Sequence, residues 1–295
     1  MKMSKFAFVI QGLIAWCYCV NTNATAVAAP TEVSFPSLDA PGGQAVVLKG
    51  FWTPAPASAP APASGTESSP AMVLLHGCGG PYNARGELSQ RMLDYTALLH
   101  GQGMHVLVLD SLTPRGEREL CTQKLGTRQV TMLQRRFDAL AAVAWLAAQP
   151  GVDAKGIGLL GWSNGGSAVL SATNERHPEV AAAAVKPSFA VAFYPGCEAE
   201  LKRGYQHSAR VLLLVGEADD WTPAGPCKRL AQQAAGSVEI EAYPGAFHGF
   251  DSTAPLRLRK DVPNGVNPGR GVTVGGDPEA LKLSRARLLQ FINLR

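Results

Sequence analysis

IGLLGWSNGG, residues 157–166, passes from an apolar run into a serine set among small residues, and a helix-compatible stretch from Gly166 to Asn174 follows. Within it, Gly161-Trp162-Ser163-Asn164-Gly165 fits G-x-S-x-G, the pattern of a sharp strand-to-helix turn that lifts a serine hydroxyl above the edge of a sheet. Glycine on both sides removes side-chain bulk where such a turn is tightest and lets the serine carry a strained backbone. A bare G-x-S-x-G arises by chance in a chain with 31 glycines. The strand before this one, and the partners that come later in the chain, make it specific.

Working outward, apolar runs alternate with helical patterns. Gln44–Phe51, Ala71–His76 (AMVLLH), Met104–Leu109 (MHVLVL), Ile157–Leu160, Phe189–Tyr194 (FAVAFY), Val211–Val215 (VLLLV) and Val238–Tyr243 read as strands. Leu88–His100, Thr127–Gln149 and Glu279–Leu294 carry helical spacing, and Ala231–Ala235 falls in a further helix. Continuous apolar strands separated by helices imply an α/β fold with a mostly parallel central sheet and helices on both faces. Ligands of such sheets bind at the carboxyl ends of the strands. Thr53–Pro70 is a Pro/Ala/Ser tract that cannot build a core, and it reads as a disordered surface loop between two early strands. A single domain over residues 31–295 is expected.

The first residues are of another kind. Lys2 and Lys5 precede an apolar stretch from Phe6 to Val20, then polar residues and Ala24-Thr25-Ala26-Val27-Ala28. This is the pattern of a signal peptide over residues 1–26, cut after Ala26 or Ala28. An uncleaved anchor is the competing reading, but about 15 apolar residues fall short of the roughly 20 that span a bilayer. Bulky Trp16 and Tyr18 before Cys17 and Cys19 do not fit lipidation sites. Removing residues 1–26 takes away two lysines and lowers the formal charge from +4 to +2. So nearly neutral a chain has no charge signature for nucleic acid or anionic surfaces, and no membrane association is expected after cleavage. Export to the periplasm or beyond also suits the cysteines, because Cys78, Cys121, Cys197 and Cys227 remain, an even number without C-x-x-C spacing. Cys197 and Cys227 follow strands expected to be neighbours and are paired on that ground, leaving Cys78 with Cys121. No metal site and no cofactor are expected.

Three features then follow in chain order: Ser163; Gly216-Glu217-Ala218-Asp219-Asp220-Trp221-Thr222-Pro223 after VLLLV; and Phe247-His248-Gly249-Phe250 after the next strand. Serine, acid and histidine in that order, each just past a strand, is the arrangement of an α/β-hydrolase triad. A serine hydroxyl is a poor nucleophile near neutral pH, so His248 would take its proton and a carboxylate would hold the imidazole tautomer. The G-x-x-D-x-x-x-P spacing selects Asp219 over Asp220. Asp251 stands too close to His248 in sequence to serve as that carboxylate and reads as a solvated loop residue. The oxyanion hole would draw backbone N–H groups from Asn164 and from Cys78 in His76-Gly77-Cys78-Gly79-Gly80, with His76 ordering that loop. Trp162 suits an acyl pocket and a core position equally.

VLLHGCGG, GWSNGG, VGEADDWTP and FHGF together resemble the dienelactone hydrolase family of the α/β-hydrolase superfamily, over roughly residues 45–295. The resemblance implies one compact domain without a large lid, acting on esters or lactones without a cofactor. Ser163 stands where family members that open dienelactones carry cysteine, and no carboxylate lies between His76 and Arg85 to tune a thiol. Both departures point away from dienelactone itself. In the family, an arginine after the fourth strand holds a substrate carboxylate. Arg115 stands near that position with the register offset by one, and either binds an anionic substrate group or forms an ion pair in the loop. The expected protein is a monomeric serine hydrolase of small-molecule esters or lactones, working through an acyl-enzyme on Ser163. The rival readings are a peptide or amide hydrolase on the same triad, and a non-catalytic periplasmic binding protein that retains the fold.

Overall fold

The computed structural model describes residues 29–57, 68–234 and 236–293. The signal-peptide reading of residues 1–26 and most of the Pro/Ala/Ser tract, with Ala235 and Leu294, lie outside the described residues. In chain order the elements are β1 (Thr31–Pro36), β2 (Val47–Thr53), β3 (Ser69–Leu75), α1 (Gln90–His100), β4 (His105–Asp110), α2 (Met132–Ala147) and β5 (Val152–Trp162). They continue with α3 (Asn164–Ala172), α4 (Pro178–Ala181), β6 (Phe189–Phe193), α5 (Glu198–Arg203), β7 (Arg210–Gly216) and α6 (Ala224–Gln233). The last are β8 (Val238–Tyr243), β9 (Arg257–Arg259), β10 (Val272–Val274) and α7 (Pro278–Asn293).

Eight strands form one sheet in the order β1-β2-β4-β3-β5-β6-β7-β8. Strand β2 runs antiparallel to β1 and β4, and the remaining neighbours are parallel. Alternate side chains along each strand serve opposite faces. Val73, Leu75, Leu159, Ala190, Ala192, Leu213 and Val215 therefore join the layer beneath α2, α3 and α6. Met72, Leu74, Leu160, Val191, Phe193, Leu212 and Leu214 join the layer beneath α1 and α7. Both faces are dry, which is why these strands read as unbroken apolar runs rather than as alternating ones.

Boundaries move where local chemistry decides them. The helical pattern from Thr127 begins only at Met132, because Thr131 and Gln134 form a capping box: Thr131 Oγ1 accepts from Leu133 N–H at 3.3 Å and Gln134 Oε1 accepts from Thr131 N–H at 3.0 Å. Strand β1 and the β9–β10 hairpin carry too short and too polar a pattern to stand out in sequence. No helix among the described residues is long and apolar enough to cross a membrane.

Two disulfides brace the segments that follow the carboxyl ends of the strands. Cys78 pairs with Cys121 and Cys197 with Cys227, with Cα separations of 5.0 and 5.1 Å. The second ties the segment after β6 to α6, the helix that follows the neighbouring strand β7. Closing a loop over a separation of 30 residues restricts the unfolded chain by about 3–4 kcal/mol in the chain-entropy description. Cys197→Ala/Cys227→Ala should lose about that much in urea unfolding. A loss below about 1 kcal/mol would mean that the bridge contributes little to the fold.

Candidate active site

The turn after β5 is built on close backbone contact. A Cβ added at Gly161 would stand 2.3 Å from the carbonyl oxygen of Gly165, and one added at Gly165 would stand 1.9 Å from that of Leu75. Neither position admits a side chain, which accounts for both glycines of G-x-S-x-G. Ser163 between them adopts φ 54° and ψ −118°, a left-handed backbone that non-glycine residues adopt at a cost of about 1–3 kcal/mol. Surrounding bonds hold it there: its N–H donates to Phe193 O at 2.9 Å, and its carbonyl accepts from Ser167 N–H at 2.8 Å.

His248 follows β8 and sits between Ser163 and Asp219. Its Nε2 lies 2.8 Å from Ser163 Oγ and its Nδ1 lies 2.8 Å from Asp219 Oδ2. Ser163, Asp219 and His248 are 8%, 5% and 4% exposed, so these bonds are shielded from bulk water. Burial pushes the Asp219 carboxyl up, but adjacent His248 and the backbone N–H groups of Thr222 and Trp221 outweigh it and hold the pKa below the ordinary carboxylate value. Both N–H groups reach Asp219 Oδ1 at 2.8 Å. An ionised carboxylate only accepts, so Nδ1 carries the proton and Nε2 is free to accept from the serine hydroxyl. Thr222 Oγ1 is 3.0 Å from Asp219 Oδ2 and 2.9 Å from Tyr194 O, fixing the acid loop against the end of β6. Asp220 faces elsewhere: it accepts from Thr273 N–H at 2.8 Å and Thr273 Oγ1 at 2.9 Å, anchoring β10.

Asp251 corrects the sequence reading. It is 3% exposed rather than solvated, and accepts from Tyr194 Oη at 2.7 Å, Trp162 Nε1 at 2.8 Å, Tyr95 Oη at 3.0 Å and Arg91 Nη2 at 3.1 Å. Burial raises its pKa, yet Arg91 and these donors prevail and hold it below the usual range. The carboxylate thus ties the loop after His248 to β5, β6 and α1. Tyr194, at φ 37°, lays its ring 4.6 Å from that of His248. A polar-tipped aromatic at the end of a buried run was the available signal, since a buried Tyr O–H or Trp N–H requires a partner.

Asn164 opens α3, where its N–H has no carbonyl one turn back within the helix. Cys78, Ser163 and Asn164 line one cleft together, and Gly77 and Gly79 line a second with Cys78 and Ser163. His76 is fully buried; Ser111 N–H donates to its Nε2 at 3.4 Å, so Nδ1 carries the proton and donates to Gly77 O at 2.7 Å.

Ser163 opens onto two clefts. One, of about 300 Å³, is lined among others by Arg91, Tyr194, Trp221, Arg257 and Arg259. The other, of about 600 Å³, is lined among others by Leu125, Met132, Cys197, Pro223 and Pro226. Arg115 lines neither, which corrects its assignment to an anionic substrate group. Its guanidinium is committed to both oxygens of Asp138 at 2.8 Å and to Asp39 at 3.1 Å. The ion pair expected as the alternative is present, but nearly buried, with the side chain 10% exposed. Trp162 reaches the smaller cleft while its ring stacks on Phe193 and meets Tyr95 edge-on, 5.9 and 4.8 Å between centroids.

A mostly parallel sheet with β4 and β3 exchanged in order, helices on both faces and a serine turn after β5 defines the α/β-hydrolase fold. The model of the dienelactone hydrolase family matches residues 63–293, and the chain belongs to that family. It is a hydrolase. No curated protein sequence matches it. Among solved structures, dienelactone hydrolase from Anabaena variabilis is 22% identical, with TM-score 0.53 over 75% of this chain and 89% of that one. The carboxylesterase Cest-2923 from Lactobacillus plantarum is 14% identical, with TM-score 0.58 over 90% of this chain and 98% of that one. A puromycin-hydrolysing peptidase from Mycobacterium tuberculosis is 18% identical, with TM-score 0.52 over 75% of this chain and 36% of that one. At these identities the likeness is one of fold.

Burial, with Arg135 nearby, lowers the His76 pKa to about 3. In the unfolded chain the imidazole takes a proton near pH 6.5. Between those values the unfolded state holds one more proton, so stability falls as pH drops from about 6.5 toward 3, by up to about 1.4 kcal/mol per pH unit from this group. His76→Gln should flatten the slope of unfolding free energy against pH by that amount across this window. An unaltered slope would mean that His76 is not held neutral.

Proposed function

We propose that this hydrolase cleaves carboxylic esters or lactones of small substrates through an acyl-enzyme on Ser163. The observation that carries the reading is the pair of 2.8 Å contacts joining Asp219, His248 and Ser163. His248 Nε2 takes the hydroxyl proton as Ser163 Oγ attacks the carbonyl carbon. Asp219 steadies the imidazolium that forms, and the Cys78 and Asn164 N–H groups receive the charge that develops on the carbonyl oxygen. Collapse breaks the bond to the leaving oxygen, which takes the proton from His248. Water, deprotonated by the same imidazole, then attacks the acyl carbon; the bond to Ser163 Oγ breaks, Ser163 recovers the proton from His248, and the acid is released. Two clefts meeting at Ser163 provide separate space for the acyl and alcohol portions, of a size suited to small substrates. The two disulfides fit an oxidising compartment, and export with cleavage of residues 1–26 accords with them.

A fluorophosphonate probe should label the wild-type protein and not Ser163→Ala. With p-nitrophenyl esters, Asp219→Asn should lower kcat by about 10⁴-fold, whereas Asp220→Asn should lower it less than tenfold. An unlabelled wild type would favour a binding protein, and preference for amides over short esters would overturn the substrate assignment.

A further inference from the structure

Arg135, on α2, is 1% exposed, yet among the described residues it forms no salt bridge. Asp138, one turn further along the helix, gives both carboxylate oxygens to Arg115 instead. The guanidinium of Arg135 has two partners: Nη1 donates to Asn164 Oδ1 at 2.6 Å, and Nη2 donates to the backbone carbonyl of His76 at 2.8 Å. Its Nε is buried with no partner. Taking a cation out of water without a carboxylate in contact costs several kcal/mol, and an apolar side chain would pack there at less cost. Stability of the fold does not account for it.

The two partners do. Asn164 carries one proposed oxyanion donor on its backbone. His76 begins the His76-Gly77-Cys78 segment, whose third residue carries the other. These two arms touch at the bare Cα of Gly165, where a Cβ would stand 2.5 Å from His76 O. Arg135 spans the same junction from behind. Burial lowers its pKa only to about 10, so it remains charged at neutral pH.

We propose that Arg135 is a positioning residue of the oxyanion hole: its buried guanidinium clamps the residues that carry both N–H donors and places a fixed positive charge behind them. The inference rests on the serine-hydrolase reading. In a poorly solvated site such a charge favours an oxygen that becomes negative in the transition state over the neutral ground-state carbonyl. The effect therefore belongs to kcat rather than KM.

The test uses the full-length protein with p-nitrophenyl acetate, with active sites counted by fluorophosphonate labelling. Arg135→Gln should lower kcat per labelled site by about 10²-fold with KM within about threefold, a loss comparable to removal of one oxyanion donor. Arg135→Lys, which keeps the charge but reaches one acceptor, should recover about tenfold of that loss. A purely structural residue would lower the melting temperature and leave kcat per labelled site unchanged, and that result in any folded variant overturns the proposal. Should Arg135→Gln fail to fold, Asn164→Ala carries the same test, because it removes the Nη1 acceptor and retains the backbone N–H. It should lower kcat about tenfold, and Arg135→Lys should add little to it in the double variant. Wild-type kcat in Asn164→Ala, or additive losses in the double variant, overturns the clamp. A wild type inert toward esters and probe would sink the serine-hydrolase reading itself, a result distinct from active wild type with unaffected variants.

Discussion

The bare backbone at Gly165 sets the geometry on which the rest of the site depends. Its Cα presses on the end of β3 so closely that even a methyl group would overlap the carbonyls of Leu75 and His76. That contact brings the start of α3 against the segment beginning at His76, and so sets two runs of backbone N–H beside one serine. It also forces the turn that leaves Ser163 in a left-handed conformation. Strain of about 1–3 kcal/mol at one residue is sustainable because β5 continues the central sheet, buried on both faces.

Two buried charges flank this contact from opposite sides of the sheet, and neither is isolated. Asp251 gathers Arg91, two tyrosines and a tryptophan beneath the histidine loop. Arg135 donates to the side-chain amide oxygen of Asn164 and to the carbonyl of His76 at the end of β3. Removing one partner from such a network leaves the other desolvated and unpaired, which costs far more than the net worth of the bond. The polar interior thus holds the loops after β3, β5, β6 and β8 in one arrangement, where apolar packing alone would leave them freer to shift.

The covalent bridges act on the same rim. Cys78–Cys121 joins the segment after β3 to the loop after β4, and Leu120 N–H donates to Cys78 O at 2.7 Å beside it. Cys197, which lines the larger cleft, is tied to α6 through Cys227. Long connections without regular structure then define the walls of a binding site, which loops of high conformational entropy would do poorly on their own.

Much of this was legible in the chain. Apolar runs of four to six residues announce strands buried on both faces, and G-x-S-x-G, G-x-x-D-x-x-x-P and the histidine after the last long strand mark the strand ends, because those patterns are local. The spacing that separates Asp219 from Asp220 is local too, and the structure gives the two carboxylates different partners. Asp251 reads as solvated, Arg115 admits both a substrate contact and an ion pair, and Arg135 gives no signal, all for one reason: a charged side chain in a loop or on a helix does not show its partners in the sequence. Asp251 meets Tyr95 and Trp162 from 156 and 89 residues away, and Arg135 meets His76 from 59. Patterns that repeat along the chain were therefore settled by sequence alone, whereas the pairing of buried charges waited for the sheet to bring distant segments together, since whether a charge is solvated or buried depends on what packs over it.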